Sequence, residues 1–553
     1  MPVVRILILI CLLLNLPQCG RKAGSLPPIR LLMLTGSGNH EWPATTAFLE
    51  KMYGRSGLFA VETVLHPDSI NSNMLSHFDV LVNNRNVWPD RDCDWSDEAL
   101  LALFRFVEEG GGFVTIHSAG AYCYDRQDFQ QLSLATWGEN TRHGDISEHH
   151  VHIGMPDHPV TRGISDFLTF DELWIDAEIN PDATVIGVAT SEEETREPVI
   201  LVHNRGKGRM FCNLLGHDVR AMRNSAWQTL TIRGTEWAAR GEVSYAVPQG
   251  LERRTDSDNP VYSWHESDSS LALLMGDRVI WQFNFRGISG KPYFHPLALS
   301  DGTVLTAQHP SDHPWHLGLW HSWKYIDGIN YWEYKPELPW DYAGETELIR
   351  FSAITNPDYT ADLHLAIGYR PEGGDVILNE LRNIKLSRPE PKYGYRIDLD
   401  QQFEAADAGI VLDRTPLPAE PEGKPWGGYA GLSMRFSQDM FRPVFINSDG
   451  STSKAHGQRF AWKYYGLLSM RGAHCGLAIL DHPDNPRHPA NWFMEDSAAD
   501  PFFYFGPAPL FEAPMHLSPG ESLRFRYRVL LLPGQMDYLR LRQHWLEYVE
   551  ESR

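Results

Sequence analysis

The sequence predicts two folds in series: an α/β doubly wound, mostly parallel sheet over residues 29–240, then an all-β sandwich over 261–535. Two patterns and one break carry that expectation. From 29 to 240 short apolar runs alternate with segments of helical spacing, as they do when helices cross over a parallel sheet. Beyond 260 the runs are β-like and separated by Gly/Pro turns. Residues 241–260, with Arg253-Arg254-Thr255-Asp256-Ser257-Asp258, are polar and read as a linker.

Residues 29–35 (IRLLMLT) form a buried-type strand closed by Gly36-Ser37-Gly38, and 42–53 has helical spacing. Residues 78–83 (FDVLVN) give the next strand. Ser96 is placed to cap a helix whose first turn holds Asp97 and Glu98, suiting the positive end of the helix dipole. Leu100, Leu101, Leu103, Phe104 and Val107 form its apolar stripe, and Gly110-Gly111-Gly112 stops it. Strands follow at 113–116, 184–188, 198–202 and 209–215, with a closing helix at 225–239. In the second half strands are expected at 271–274, 279–285, 303–306, 361–369, 395–403, 460–467, 476–480 and 523–532, the last entered through Pro519-Gly520-Glu521-Ser522. The tail, 536–553, reads as helical.

At 553 residues the chain is long enough for two to four domains with cores of their own. A net charge of −22 repels phosphate backbones and anionic lipid, so nucleic-acid and polybasic membrane partners are not expected. Residues 1–20 (MPVVRILILICLLLNLPQCG) combine Arg5, a short apolar run and a polar end, which describes a secretory signal. The protein is therefore expected to be exported, periplasmic or extracellular, with no integral membrane segment after signal removal. Leu16-Pro17-Gln18-Cys19 has the outline of a lipid-attachment box, although Gln18 stands where a small residue belongs. Four cysteines remain beyond the leader; an oxidising compartment permits a Cys93–Cys123 bridge, which the sequence alone leaves open.

In an open α/β sheet ligands bind at the carboxyl ends of strands. That rule brings His40, His117 and His217 to one rim, where imidazoles ligate metals or move protons. Residues 142–158 add five histidines, and His150 and His152 alternate so as to face one side of a strand, which suits metal ligation. Asp171 and Glu172 offer a carboxylate ligand or base. In the second half, 309–323 (HPSDHPWHLGLWHSW) packs four histidines, one Asp and three Trp into fifteen residues. His313, His316 and Asp312 have the donor types of a zinc-like divalent site. Equally, His313, His316 and His321 can act as acid/base groups around a sugar stacked on Trp315, Trp320 and Trp323.

The first half resembles the ThuA-like (trehalose utilisation) family, with the class I glutamine amidotransferase fold. The matching pieces are Asn39-His40-Glu41-Trp42, GGGFVTIHS at 110–118, His158-Pro159-Val160-Thr161, Asp171-Glu172-Leu173-Trp174, Gly206-Lys207-Gly208-Arg209 and Leu215-Gly216-His217-Asp218. His117 stands where an amidotransferase nucleophile elbow carries Cys, so glutamine hydrolysis by a thiolate is not expected. The resemblance implies a sugar-related role. At their strand-end positions His117 is expected to be catalytic, and His40, Glu172 and His217 to bind substrate. The second half resembles the PmoA-like (DUF6807) family through Lys291-Pro292-Tyr293-Phe294-His295-Pro296, Asp312-His313-Pro314-Trp315-His316, Gly328-Ile329-Asn330-Tyr331-Trp332 and DHPDNPRHP at 481–489. Trp332, His482, Arg487, His488 and Trp492 thereby join the expected substrate-binding set, and the closing strand is similar to mutarotase-type sandwiches. The function expected is an exported carbohydrate-active enzyme acting on glycosides or oxidised (keto) sugars. The alternative is a non-catalytic sugar-binding protein. The expected partner is a small-molecule or oligosaccharide substrate.

Overall fold

The computed structural model describes residues 27–552 apart from 39, 89–92, 122, 124–125, 192–193, 254–260, 288–289, 334–343 and 498–500. The expected leader with Cys19, Asn39, and Arg254–Asp258 of the linker lie outside the described residues. Among those described, no helix is long and apolar enough to cross a membrane.

Nine strands form the sheet of the first domain: β1 (Ile29–Leu34), β2 (Phe59–Val64), β3 (Val80–Asn83), β4 (Gly112–Ile116), β5 (Ser147–Ile153), β6 (Phe167–Asp171), β7 (Thr184–Thr190), β8 (Arg196–Arg205) and β9 (Gly208–Asn213). Their order across the sheet is β2-β1-β3-β4-β9-β8-β7-β5-β6. The expected parallel pairing holds from β2 to β9. From β9 onward every pair is antiparallel. The cause is local. Gly206-Lys207 alone joins β8 to β9, and a two-residue connection can only make a hairpin.

Helices α1 (Trp42–Ser56), α2 (Asp97–Glu109) and α3 (Ser225–Arg240) pack on the sheet. Ser96 caps α2 by accepting from the Ala99 amide at 3.3 Å, as its position predicts. Gly112 lies against the α3 backbone, where a Cβ would meet the Ala238 carbonyl carbon at 2.7 Å; the glycine run thus also lets α3 approach the sheet. Cys93 and Cys123 form a disulfide.

The second domain is two eight-stranded antiparallel sheets packed face to face. One runs, in spatial order, through Tyr262–Glu266, Ser270–Met275, Arg278–Asn284, Tyr293–Leu297, Leu319–Ser322, Gly431–Arg435, Phe502–Pro507 and Trp492–Ser497. The other runs through Gly344–Thr355, Ala361–Pro371, Leu378–Leu386, Tyr395–Ala405, Ser522–Pro533, His474–Asp481, Trp462–Ser469 and Met440–Asn447. Leu273, Trp281 and Phe283 of the first meet Leu365, Leu399 and Val529 of the second in one core. Residues 303–306, expected as a strand, make only isolated bridges. Helix α4 (Tyr538–Glu551), capped by Asp537, closes the chain and packs Leu541 and Tyr548 against Trp462 and Leu530.

The segment after α3 is less of a linker than its polarity predicts. Leu251 is buried in the first domain's core, where Val243, Tyr245 and Val247 also pack. The two domains are further joined by the Leu168 amide donating to Met470 O at 2.7 Å and the Ser225 amide to Asp439 at 2.8 Å.

The strand Leu378–Leu386 alternates buried and exposed residues, yet two of its inward positions are charged. Glu380 and Arg382 pair at 2.6 Å inside the sandwich, and Tyr369 and Gln401 donate to the same carboxylate at 2.6 and 2.8 Å. Removing one member strands the other charge. Glu380→Gln is therefore expected to cost about 3–5 kcal/mol, read as a lowered urea midpoint, with Glu380→Met plus Arg382→Leu recovering most of the loss.

Candidate functional site

Strand ends build the first site. β4 ends at Ile116, and His117 then turns with φ 42°, a left-handed conformation uncommon for a non-glycine residue. The side chain is buried, 2% exposed. Its Nδ1 donates to Leu214 O at 2.7 Å, which fixes the tautomer and leaves Nε2 as the lone-pair atom. Asp171, the last residue of β6, is fully buried and accepts the backbone amides of Gly216, His217 and Glu172 at 2.6, 3.0 and 2.9 Å. These bonds pin the turn after β9 to the end of β6 and bring His217 beside Glu172. Gly216 has φ 100°, and a Cβ there would touch the Trp227 indole at 2.7 Å, so the turn requires glycine.

The result is a ring of donors. His117 Nε2 lies 3.3 Å from His217 Nδ1 and 3.5 Å from Glu172 Oε1. His217 Nδ1 and His143 Nδ1 lie 3.4 and 3.3 Å from Glu172 Oε2. His40 reaches in from the loop before α1, its Nδ1 accepting from the Asn86 amide at 3.1 Å. Ligand atoms of His40, His117, Glu172 and His217 all fall within 4.8 Å of one another. Burial works to raise the Glu172 pKa, but the His117 and His217 imidazoles beside it prevail and hold it well below the usual carboxylate range. Burial, reinforced by the neighbouring imidazoles, lowers His40 to about 3.

The second site is a cavity of about 840 Å³ in the sandwich domain, walled by Trp315, Trp332, Trp426, Tyr429, Phe502 and Tyr504. Its polar groups include His313, His316, Lys324, Asn330 and Glu333. A tight turn positions three of them: Asp327 and Gly328 both have positive φ, 51° and 77°, and fold Tyr325–Ile326 back on Ile329–Asn330. Lys324 Nζ then meets the two Glu333 oxygens at 2.7 and 2.6 Å, and Asn330 donates to Glu333 at 2.7 Å. Burial favours a protonated Glu333, but Lys324 and Asn330 outweigh it and keep the carboxylate charged. Behind the wall, buried Lys291 donates to Trp332 O at 2.7 Å, and burial pushes its pKa down to about 8. His313 Nδ1 is bonded to Asp312 at 3.1 Å, and Arg435 holds the same Asp312 oxygen at 2.7 Å.

Several expected site residues stand elsewhere. His321 is buried in the sandwich core against Trp323 and Phe403, with no hydrogen-bond partner on either ring nitrogen among the described residues, and burial lowers it to about 3. Trp323 and Trp492 are core residues, and Trp320 packs behind His316 and Trp332 rather than lining the cavity. His482 packs on Tyr548, Arg487 clamps the carbonyls of Pro509, Ala513 and Pro514, and His488 bonds Asp481 at 2.7 Å; all three tie down one loop. The expected His313–His316–Asp312 metal set does not converge. The two imidazoles stack at 4.7 Å and 23°, so their in-plane lone pairs do not meet, and Asp312 is engaged by Arg435. His150 and His152 bond each other at 3.0 Å, with Asp166 behind His152, and gather no further ligand among the described residues. Lys324, Glu333, Trp426 and Tyr429 are not marked by the sequence, and Asn330 is marked only as part of the motif at 328–332. Of those four, Trp426 alone had a signal that could have marked it, as an indole in a Pro-Trp-Gly-Gly loop, and it is 55% exposed.

A model described as a family of unknown function (DUF6807) matches residues 270–546. The chain belongs to the DUF6807 family. A second model, ThuA, described as trehalose utilisation, matches residues 30–238, so a ThuA-like domain precedes the DUF6807 domain. Among solved structures, a ThuA-like protein from Parabacteroides merdae is 25% identical, covering 41% of this chain and 95% of its own, with a TM-score of 0.37. A second, from Bacteroides uniformis, is 17% identical, covering 40% and 98%, at 0.32. A glutamine amidotransferase from Thermotoga maritima is 13% identical, covering 34% and 76%, at 0.24. No curated protein matches. The His/Glu ring thus belongs to the ThuA-like domain and the aromatic cavity to the DUF6807 domain.

Asp171→Asn puts an amide N–H against backbone donors. It is expected to cost about 1–3 kcal/mol and to speed hydrogen exchange at the Gly216 and His217 amides, read by mass spectrometry. For Lys291 the folded pKa lies below the free value of 10.5, so between pH 8 and 10.5 the unfolded chain holds more protons. Stability relative to Lys291→Met should therefore rise with pH across that window by about 3 kcal/mol, measured by chemical denaturation of both proteins at pH 7 to 10.

Proposed function

We propose that this protein is an exported carbohydrate-active enzyme that holds a saccharide in the DUF6807-domain cavity. The observation that carries the reading is the lining of that cavity. Broad aromatic faces stand beside a few fixed polar groups, the combination that stacks on the apolar faces of a pyranose and hydrogen-bonds its hydroxyls. Its volume of about 840 Å³ suits a small oligosaccharide. The trehalose-utilisation match of the preceding domain supports a carbohydrate role, and the Cys93–Cys123 disulfide supports export.

His313 is the proposed base. Arg435 orients Asp312, Asp312 engages Nδ1, and Nε2 is left to accept a proton. On a 3-keto glycoside His313 removes the C2 proton, the electrons pass through the enolate and expel the C1 substituent, and that group leaves as the alcohol by taking the proton back from the His313 imidazolium, leaving the C1–C2 unsaturated ketone and a neutral His313. Lys324, which lines the cavity with its ammonium already paired to Glu333, is the proposed partner of the enolate oxygen through its remaining N–H. One observation favours a non-catalytic saccharide receptor as the second reading. Glu333 is committed to Lys324 and Asn330, so it is not free to act as one of the paired carboxylates of ordinary glycosidases.

Native and 3-oxidised disaccharides, titrated by tryptophan fluorescence and screened for products, test both readings. Trp426→Ala is expected to weaken binding about tenfold or more. His313→Gln is expected to leave affinity within a few-fold while turnover falls about 10²-fold or more. Binding without turnover by the unaltered protein would leave the receptor reading; neither binding nor turnover would end both.

A further inference from the structure

We propose that the ring in the ThuA-like domain is a divalent transition-metal site of the zinc class, with His117 Nε2, His217 Nδ1 and the Glu172 carboxylate as ligands. It stands in the other domain from the saccharide cavity and does not depend on that reading. The distances argue for an ion. Ligand bonds of about 2.0–2.2 Å arranged tetrahedrally put neighbouring donors about 3.3–3.6 Å apart. His117 Nε2 lies 3.3 Å from His217 Nδ1 and 3.5 Å from Glu172 Oε1, and His217 Nδ1 lies 3.4 Å from Glu172 Oε2, so each imidazole faces its own oxygen of the one carboxylate. Charge-assisted hydrogen bonds between the same groups would close to about 2.7–2.9 Å. The donors stand off from one another at the spacing of ligands around a shared centre.

The surroundings are built for ligation. The bond from His117 Nδ1 to Leu214 O is the outer-shell contact that orients a ligating imidazole and turns its other nitrogen inward. Asp171 fixes Glu172 and His217 through the backbone, not through their side chains, so it does not engage the ligating atoms. The donors, two imidazole nitrogens and a carboxylate, match the His₂Glu set of catalytic zinc sites and suit neighbouring first-row ions better than calcium or magnesium. His40 closes the fourth side. Because the Asn86 amide donates to its Nδ1, a neutral His40 carries its proton on Nε2, facing the centre as a donor. Three protein ligands and one open position describe a catalytic, not a structural, metal site. A small recess lined by Ser37, Asn86 and Ser118 adjoins His40, His117 and His217.

The test is metal content. The purified full chain, stripped with chelator and titrated with Zn²⁺, Mn²⁺, Co²⁺ and Ni²⁺ by calorimetry, should bind one ion of at least one of these metals per chain, with a rise in Tm on binding. Glu172→Gln, His117→Ala and His217→Ala should each weaken that binding about 10–100-fold and abolish the rise in Tm. His152→Ala, which disrupts the separate His150–His152 pair, should leave both unchanged. Circular dichroism of each variant confirms folding, and His117→Gln replaces His117→Ala if the latter fails to fold. No binding of any of the four ions, binding that survives loss of Glu172 and His217, or binding lost with His152 would overturn the proposal.

Discussion

One buried carboxylate sets the geometry of the ThuA-like domain's rim. Asp171 is sealed from bulk solvent and accepts three backbone amides, two of them from a turn more than forty residues away in sequence. Burial favours its protonated form, and those amides oppose that tendency. Because the bonds run to the backbone, they locate the Cα atoms of Glu172 and His217 without occupying either side chain. Everything at the rim follows from that division: a charged residue whose work is structural, next to one kept available for chemistry.

The antiparallel half of the first sheet has a functional consequence. The parallel half by itself brings the ends of β1, β4 and β9 to the rim, with His40, His117 and His217. The hairpin extension carries β6 back so that its end reaches the same place and delivers Glu172. The departure from the doubly wound pattern is what supplies the carboxylate.

The amino-acid pattern announces the two architectures, the strand–helix alternation, the Ser96 cap and the rim histidines, because each depends on local spacing. It understates the antiparallel extension, since apolar runs such as those in β7 and β8 look alike whichever way they pair. In the His/Trp stretch, density is mistaken for convergence. On the strand Leu319–Ser322 side chains alternate between faces, so Trp320 packs behind the cavity and His321 turns into the core. The cavity's ion pair was out of reach for a different reason. Lys324 and Glu333 meet only because Asp327 and Gly328 take left-handed conformations, and polar residues on either side of a turn are too common to mark a site.

The contact between the domains bears on how the chain evolved and how it can be dissected. Met470, a residue of the DUF6807 half, sits inside the hydrophobic core of the ThuA-like half, and its carbonyl receives the Leu168 amide. An excised N-terminal fragment would inherit a hole where that thioether sits and an orphaned N–H beside it. The halves are thus a fused pair, not beads on a string, and selection acting on either surface is felt by its neighbour.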